Sequence, residues 1–186
     1  MPTRKTQTEP TDTVPVSAQA PQDGATKKQS APEPKKPLIP KDVDVHQYVT
    51  VRNGFHGRLI FVGQNGEEYI WEQFGDEQEL TLLDLRNAKS RHKRFYSNNY
   101  FMFDDDWVID YLGVRQFYKN AIPIDHFDDL FTKTPSEIEE IVAGLSDGQK
   151  RSIGYRARQL IAEGEIDSNK VIATLEKCLG MDLVEK

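Results

Sequence analysis

The chain carries one cysteine in 186 residues, Cys178. A lone thiol excludes an internal disulfide framework and any zinc site built on several thiolates. Its position within the apolar spacing of a helical segment predicts a buried, inert side chain. Histidine is almost as scarce, and His46, His56, His92 and His126 lie without metal-ligand spacing. No stretch approaches the ~20 apolar residues that a membrane span requires, and the first residues lack the apolar centre of a signal peptide. A soluble protein made inside the cell, with no membrane partner, is the expectation. Also missing are a Gly-x-Ser-x-Gly elbow, a His-Glu-x-x-His pair, a phosphate-cradling glycine loop and a dinucleotide fingerprint. These absences predict a protein that is not an enzyme and that uses no cofactor and no metal.

The distribution of what is present divides the chain in three. Seventeen of the eighteen aromatic residues lie between Tyr48 and Phe131, and eight of the ten prolines fall at or before Pro40. Residues 1–41 hold no aromatic side chain and little branched aliphatic content, so they cannot offset the entropy of ordering and read as a disordered, Pro-rich arm. Lys27-Lys28 and Lys35-Lys36 read as solvated charge, while Pro37-Leu38-Ile39-Pro40 supplies apolar anchors for docking in an extended form. Residues 42–131 form an aromatic-rich α+β core, and residues 132–186 a helical segment packed on that core or on a partner. The formal charge of -6 is spread as +2 over residues 1–40, -6 over 41–131 and -2 over 132–186, which argues against a general nucleic-acid coat.

Within the core, Tyr48, Val49 and Val51 lead to Asn53-Gly54, Arg58 to Val62 runs to Gly63-Gln64-Asn65-Gly66, and Glu68 to Trp71 follows. Branched and aromatic runs separated by short Asn-Gly loops predict a three-stranded antiparallel meander, since both residues tolerate the positive φ of tight turns. Glu79-Leu80 adds a short strand. Thr81 with Asp84 then opens a helix through Leu82, Leu85 and Ala88. Further on, Thr134-Pro135-Ser136-Glu137, Ser146 with Gln149, and Ser168 mark three helix starts, and Gly164 and Gly180 mark ends. The fold class is α+β: a small antiparallel meander followed by helices, with a C-terminal three-helix segment.

Four clusters invite a functional reading, and each has a competing structural one. Lys89-Ser90-Arg91-His92-Lys93-Arg94 followed by Phe95, Tyr96, Asn98, Asn99 and Tyr100 holds the ingredients of a single-strand nucleic-acid platform, cations for phosphates and rings for bases. The favoured reading makes the charges a solvated helix end and turns the rings inward. Asp104-Asp105-Asp106 lacks the rest of a cation shell and reads as a helix start capped by Asp106. His126 among Asp125, Asp128 and Asp129 reads as the wet side of a short helix whose inner side is Phe127, Leu130 and Phe131. Lys150, Arg151, Arg156 and Arg158 on the basic helix 147–163 do not share one narrow face, so a DNA-reading helix is disfavoured against an electrostatic interface.

The blocks Tyr48-Val49-Thr50-Val51-Arg52-Asn53-Gly54-Phe55, Asp106-Trp107-Val108-Ile109-Asp110-Tyr111-Leu112-Gly113-Val114 and Tyr155-Arg156-Ala157-Arg158-Gln159-Leu160-Ile161 resemble those of small virion-associated proteins of tailed bacteriophages and prophages. The resemblance covers Val45 to Val184 and carries no functional residue across. It implies a structural or assembly accessory that docks on a capsid, neck or tail lattice. Its partners would be other virion or assembly proteins, with a homo-oligomer inside a symmetric assembly, in a particle assembled in the host cytoplasm. The partner-binding residues expected on this view are Leu38 and Ile39 in the arm, Phe55 and His56 at the first hairpin tip, and Arg151 and Arg158 in the tail. The alternative is a nucleic-acid-binding regulator using Arg86, Lys89, Arg91, Lys93, Arg94, Tyr96 and Tyr100 in the stretch 86–100, or the basic helix.

Overall fold

Alternation of apolar and polar residues builds the first elements, and a computed structural model describes residues 39–184 of the chain. The arm expected before Ile39 lies outside those residues. Strands β1 (Tyr48–Asn53), β2 (Leu59–Val62), β3 (Glu68–Trp71) and β4 (Glu77–Thr81) come first, then helices α1 (Leu82–Arg91) and α2 (Arg94–Ser97). A two-residue β5 (Phe101–Met102), α3 (Asp106–Leu112) and α4 (Arg115–Tyr118) follow. Two 3-10 turns, Ile124–His126 and Asp128–Thr132, lead into α5 (Pro135–Ala143), α6 (Asp147–Ala162) and α7 (Asn169–Leu179). The fold is α+β, antiparallel strands followed by helices, as the sequence predicts. Among the described residues no helix is long and apolar enough to cross a membrane.

Strand pairing departs from a three-stranded meander. β2 and β3 form the expected hairpin through Gly63–Gly66, in register Leu59↔Trp71 to Val62↔Glu68, with Gly66 at φ +83°. β1, however, pairs with β4 from Tyr48↔Thr81 to Arg52↔Glu77 and with β5 at Asn53↔Phe101, so it is the centre of a separate three-stranded sheet. The cause lies at Asn53. Its buried carboxamide accepts from the Phe55 N–H (2.9 Å) and donates to the carbonyls of Gly57 (2.8 Å) and Gln73 (2.9 Å). Asn-Gly is used here to turn the chain out of the sheet, an Asx turn rather than a two-residue hairpin.

The apolar side chains collect in two clusters. The first takes Val49, Val51, Leu59, Phe61, Trp71, Leu80, Leu85, Phe101 and Val108 from the strands and from α1 and α3, with the Trp71 indole N–H donating to the Val51 carbonyl (2.9 Å). The second joins Ile138, Val142, Leu145, Ile153, Ala157 and Leu175 of α5, α6 and α7 with Phe127 and Leu130. Three rings of the aromatic segment, Phe74, Phe127 and Phe131, therefore belong to the helical cluster and not to the first. Helix starts follow local chemistry: the Asp84 N–H donates to the Thr81 hydroxyl, Glu137 accepts from the Thr134 N–H, and the Gln149 N–H donates to the Ser146 hydroxyl. Gly113 and Gly180 close α3 and α7 in the left-handed region.

Two local expectations are corrected. Asp105, not Asp106, occupies the N-cap of α3, and Asp106 lies in the first turn with its carboxylate 3.2 Å from Arg115. The helix expected over Phe127 to Phe131 is a pair of 3-10 turns, with Phe127 and Leu130 still inward. Cys178 is half-buried beside the second cluster, where burial pushes its thiol up.

The clusters meet along α6, and glycine makes that contact possible. A Cβ on Gly148 would stand 2.0 Å from the Asn98 carbonyl oxygen, and one on Gly54 2.1 Å from that of Asn99. Backbone cannot yield as a side-chain tip does. Gly148→Ala should cost about 1–3 kcal/mol or more, read as a lowered urea midpoint, whereas Gly164→Ala should cost only the smaller strain of φ +77° because no atom stands within 4 Å of its Cβ. Equal losses at the two positions would contradict a tight α6 seam.

Candidate functional site

Between the clusters runs an open cleft of about 820 Å³, walled by Arg52 at the end of β1, His56 and Gly57 of the following loop, Phe74 and Asp76 before β4, and Asp125, Tyr155 and Arg156. Its charged groups are drawn from distant parts of the chain. Arg52 Nη1 reaches Asp125 (3.0 Å) and Asp104 (3.3 Å), and its Nε stands 3.5 Å from Glu77 without a hydrogen bond. Burial opposes that charge, but the bonds to Asp125 and Asp104 outweigh it and hold the guanidinium above its ordinary value. Arg156 grips Asp128 through Nε (3.1 Å) and Nη2 (2.6 Å). His126 Nδ1 lies 3.1 Å from Asp129. Of the acids that raised the question of a metal, Asp104, Asp125 and Asp128 are thus held by arginines, and among the described residues no group of three or more His, Cys, Asp or Glu is placed to hold an ion.

His56 is the titratable group most changed by this environment. Its ring stacks on Phe74 at 3.9 Å and 21°, with Phe127 at 5.1 Å, and Nδ1 is buried with no hydrogen-bond partner among the described residues. Desolvation, followed by the positive charge of Arg156 and only partly opposed by Asp128, lowers its pKa to about 4. The imidazole is therefore neutral at pH 7 and serves as a flat packing surface. Its backbone N–H donates to the Ser152 hydroxyl (3.2 Å), and that hydroxyl donates to the Gly54 carbonyl (3.1 Å). Phe55 lies edge-on to Tyr100 (5.5 Å) and Tyr155 (5.9 Å). Phe55 and His56 are expected at a free hairpin tip; the structure seats both on the protein's own α6 instead.

The other residues singled out by sequence separate in the same way. Leu38 lies outside the described residues, and Ile39 is 44% exposed. Arg151 is exposed, whereas Arg158 donates to the Asp182 carbonyl (2.7 Å) and ties α6 to the segment after α7. In the basic stretch, Tyr96 has no exposed surface and its hydroxyl donates to the Leu85 carbonyl (2.6 Å), so it cannot stack on a base. Burial also pushes its phenol pKa up. Tyr100 is half-buried between Phe55 and Phe95. Lys89 donates to the Leu112 carbonyl at the end of α3. Arg86, Arg91, Lys93 and Arg94 remain exposed, with Lys93 5.6 Å from the centre of the Phe117 ring.

The surface that sequence reasoning did not single out is the outer side of the β2–β3 hairpin. Leu59 and Phe61 point inward, which leaves Ile60 46% and Val62 50% exposed beside half-buried Ile70. In β2–β3 the Gly63 N–H donates to the Glu67 carbonyl (2.8 Å). Alternation along an antiparallel ladder then makes Phe61↔Tyr69 and Leu59↔Trp71 the bonded pairs, so Ile60 and Val62 direct their N–H and C=O groups away from β3. Among the described residues nothing hydrogen-bonds them there. The signal was present in the sequence: four consecutive apolar residues in a strand that has only one inward face.

The His56 environment sets a pH dependence. Its folded pKa of about 4 lies below the ordinary 6.5, so between these values the unfolded chain binds a proton that the folded chain refuses. That contribution to stability is complete above about 6.5 and is lost as pH falls toward 4. Urea midpoints should decline through this window, and the decline should be shallower in His56→Gln; equal slopes would show that His56 is not held neutral. No family model, curated protein or solved structure matches the chain.

Proposed function

We propose that this protein is a non-enzymatic structural or assembly accessory of a bacteriophage particle, which docks on a capsid, neck or tail lattice through its N-terminal arm and its folded surface. The observation that carries the docking part is the open edge of β2: two half-exposed branched side chains beside unpaired backbone groups. A strand edge of this kind recognises another extended polypeptide, with main-chain bonds for affinity and side chains for choice. The cleft supports the same reading. Its arginines are spent on internal carboxylates and its histidine on stacking, so its chemistry maintains the body. The phage context comes from the three sequence blocks quoted above.

The test is co-sedimentation of the full chain with particles assembled with and without it. Ile60→Asp with Val62→Asp alters two solvent-facing side chains, so the thermal midpoint should stay near wild type while particle-bound protein falls by about tenfold or more. Undiminished binding would remove the β2 edge from the docking surface. Absence of the wild-type chain from every particle fraction would remove the virion role.

A second reading has one observation in its favour: Arg86, Arg91, Lys93 and Arg94 are exposed and form no ion pair among the described residues. A nucleic-acid-binding regulator would use them as phosphate contacts. Its binding to random DNA or RNA should weaken steeply with salt and vanish when Arg91, Lys93 and Arg94 are reversed to Glu. Salt-independent or absent binding returns these residues to a solvated helix end.

A further inference from the structure

We infer that the open edge of β2 receives residues 36–39 of a second copy of this chain, so that two copies exchange their N-terminal segments. The inference rests on the docking reading and names the occupant of its site. The edge offers two consecutive outward positions, Ile60 and Val62, each with one N–H and one C=O that bond nothing among the described residues. Across the hairpin from Val62 stands Glu68, exposed, with exposed Glu67 at the turn.

The chain itself contains a segment of matching chemistry. Lys35-Lys36-Pro37-Leu38-Ile39-Pro40 joins two cations to two aliphatic residues, and 38 residues precede the first described one. Laid antiparallel to β2, Leu38 falls beside Ile60 and Lys36 beside Val62, with the lysines at the Glu67–Glu68 end. Lys36 and Leu38 then turn their N–H groups to the edge, and Pro37, which has none, faces outward. Proline is admitted to a sheet only at such a position, and there it also stops a further strand from adding. Pro40 would face the edge and ends the pairing after Leu38.

Exchange between copies is favoured by the state of Ile39 in its own subunit. It is 44% exposed and hydrogen-bonds nothing there among the described residues. Six residues later the Val45 carbonyl accepts from the Leu83 N–H on the first turn of α1 (2.8 Å), and the next residue, Asp84, accepts from the Gln64 N–H (3.2 Å) at the tip of the hairpin. Val45 therefore lies near the Val62 end of β2, and the six residues back to Ile39 span at most about 20 Å when extended. Two copies whose β2 edges face each other can each pass a segment to the other, and reciprocal exchange closes as a dimer instead of growing into a filament.

Light scattering on the full chain tests this with two variants that fail for different reasons. Leu38→Asp removes the segment's anchor and leaves the edge intact. Val62→Pro removes one outward N–H and leaves the ladder to β3 intact. Wild type should grow in apparent mass toward a dimer as concentration rises, each variant alone should remain monomeric, and an equimolar mixture should regain a 1:1 complex. A wild type that is monomeric at every concentration overturns the exchange, as do variants that associate like wild type or a mixture that does not complement. Circular dichroism checks that Val62→Pro is folded, and Ile60→Asp stands in for it if it is not. A monomeric chain that still sediments with particles would refute the exchange alone, whereas a dimer absent from particles would refute the virion role alone.

Discussion

Asn53 has no exposed surface, and its carboxamide must find its bonds inside the protein: to Gly57, to Gln73 and to the Phe55 N–H. A buried amide left unpaired costs about 1–3 kcal/mol for each group stranded, more than a formed bond gains, so the surrounding chain is shaped to satisfy it. That requirement bends the chain out of β1 and drives Gly54 to His56 onto α6. The seam continues in the same manner. Ser152 bonds the loop through its hydroxyl, and Gln149, 1% exposed, holds both the N–H and the C=O of Ile122. Two apolar clusters are thus joined by a polar suture whose members are individually satisfied, an arrangement that specifies one orientation where apolar contact alone would tolerate several.

The same economy of charge runs through the rest of the molecule. Arg52 gathers Asp104 and Asp125, Arg156 takes Asp128, and Arg115 bridges Asp106 and Asp110. Two sets of groups left unpaired among the described residues lie outside the seam: the β2 edge, and the cations at the end of α1.

Legibility from sequence followed the range of the interaction. The β2–β3 hairpin, the caps at Thr81, Thr134 and Ser146, and the stop at Gly180 could all be read because each is decided by local turn and cap chemistry. The pairing of β1 with β4 could not, since Glu77-Gln78-Glu79-Leu80-Thr81 carries a single fully buried apolar side chain, Leu80, and its partner is chosen by the Asn53 loop. The cleft was equally hidden, because Arg52 meets carboxylates 52 and 73 residues away. Two helical glycines carry a further signal. Gly148 and Gly154 sit inside a helix where each costs about 1 kcal/mol against Ala, and the close approach of Asn98 and Met181 accounts for both. In the basic-aromatic stretch the ring of Tyr96 turns inward and belongs to the first cluster.

The joined body is the central claim, and denaturation followed by two probes addresses it most directly. Trp71 and Trp107 both report the first cluster, while helical circular dichroism is dominated by α5, α6 and α7 of the second. If the polar suture makes one cooperative unit, urea transitions from tryptophan fluorescence and from circular dichroism superimpose in the wild type and separate in Asn53→Ala, with the midpoint lowered. Transitions that are already separate in the wild type, or that stay superimposed at an unchanged midpoint in Asn53→Ala, would contradict the account.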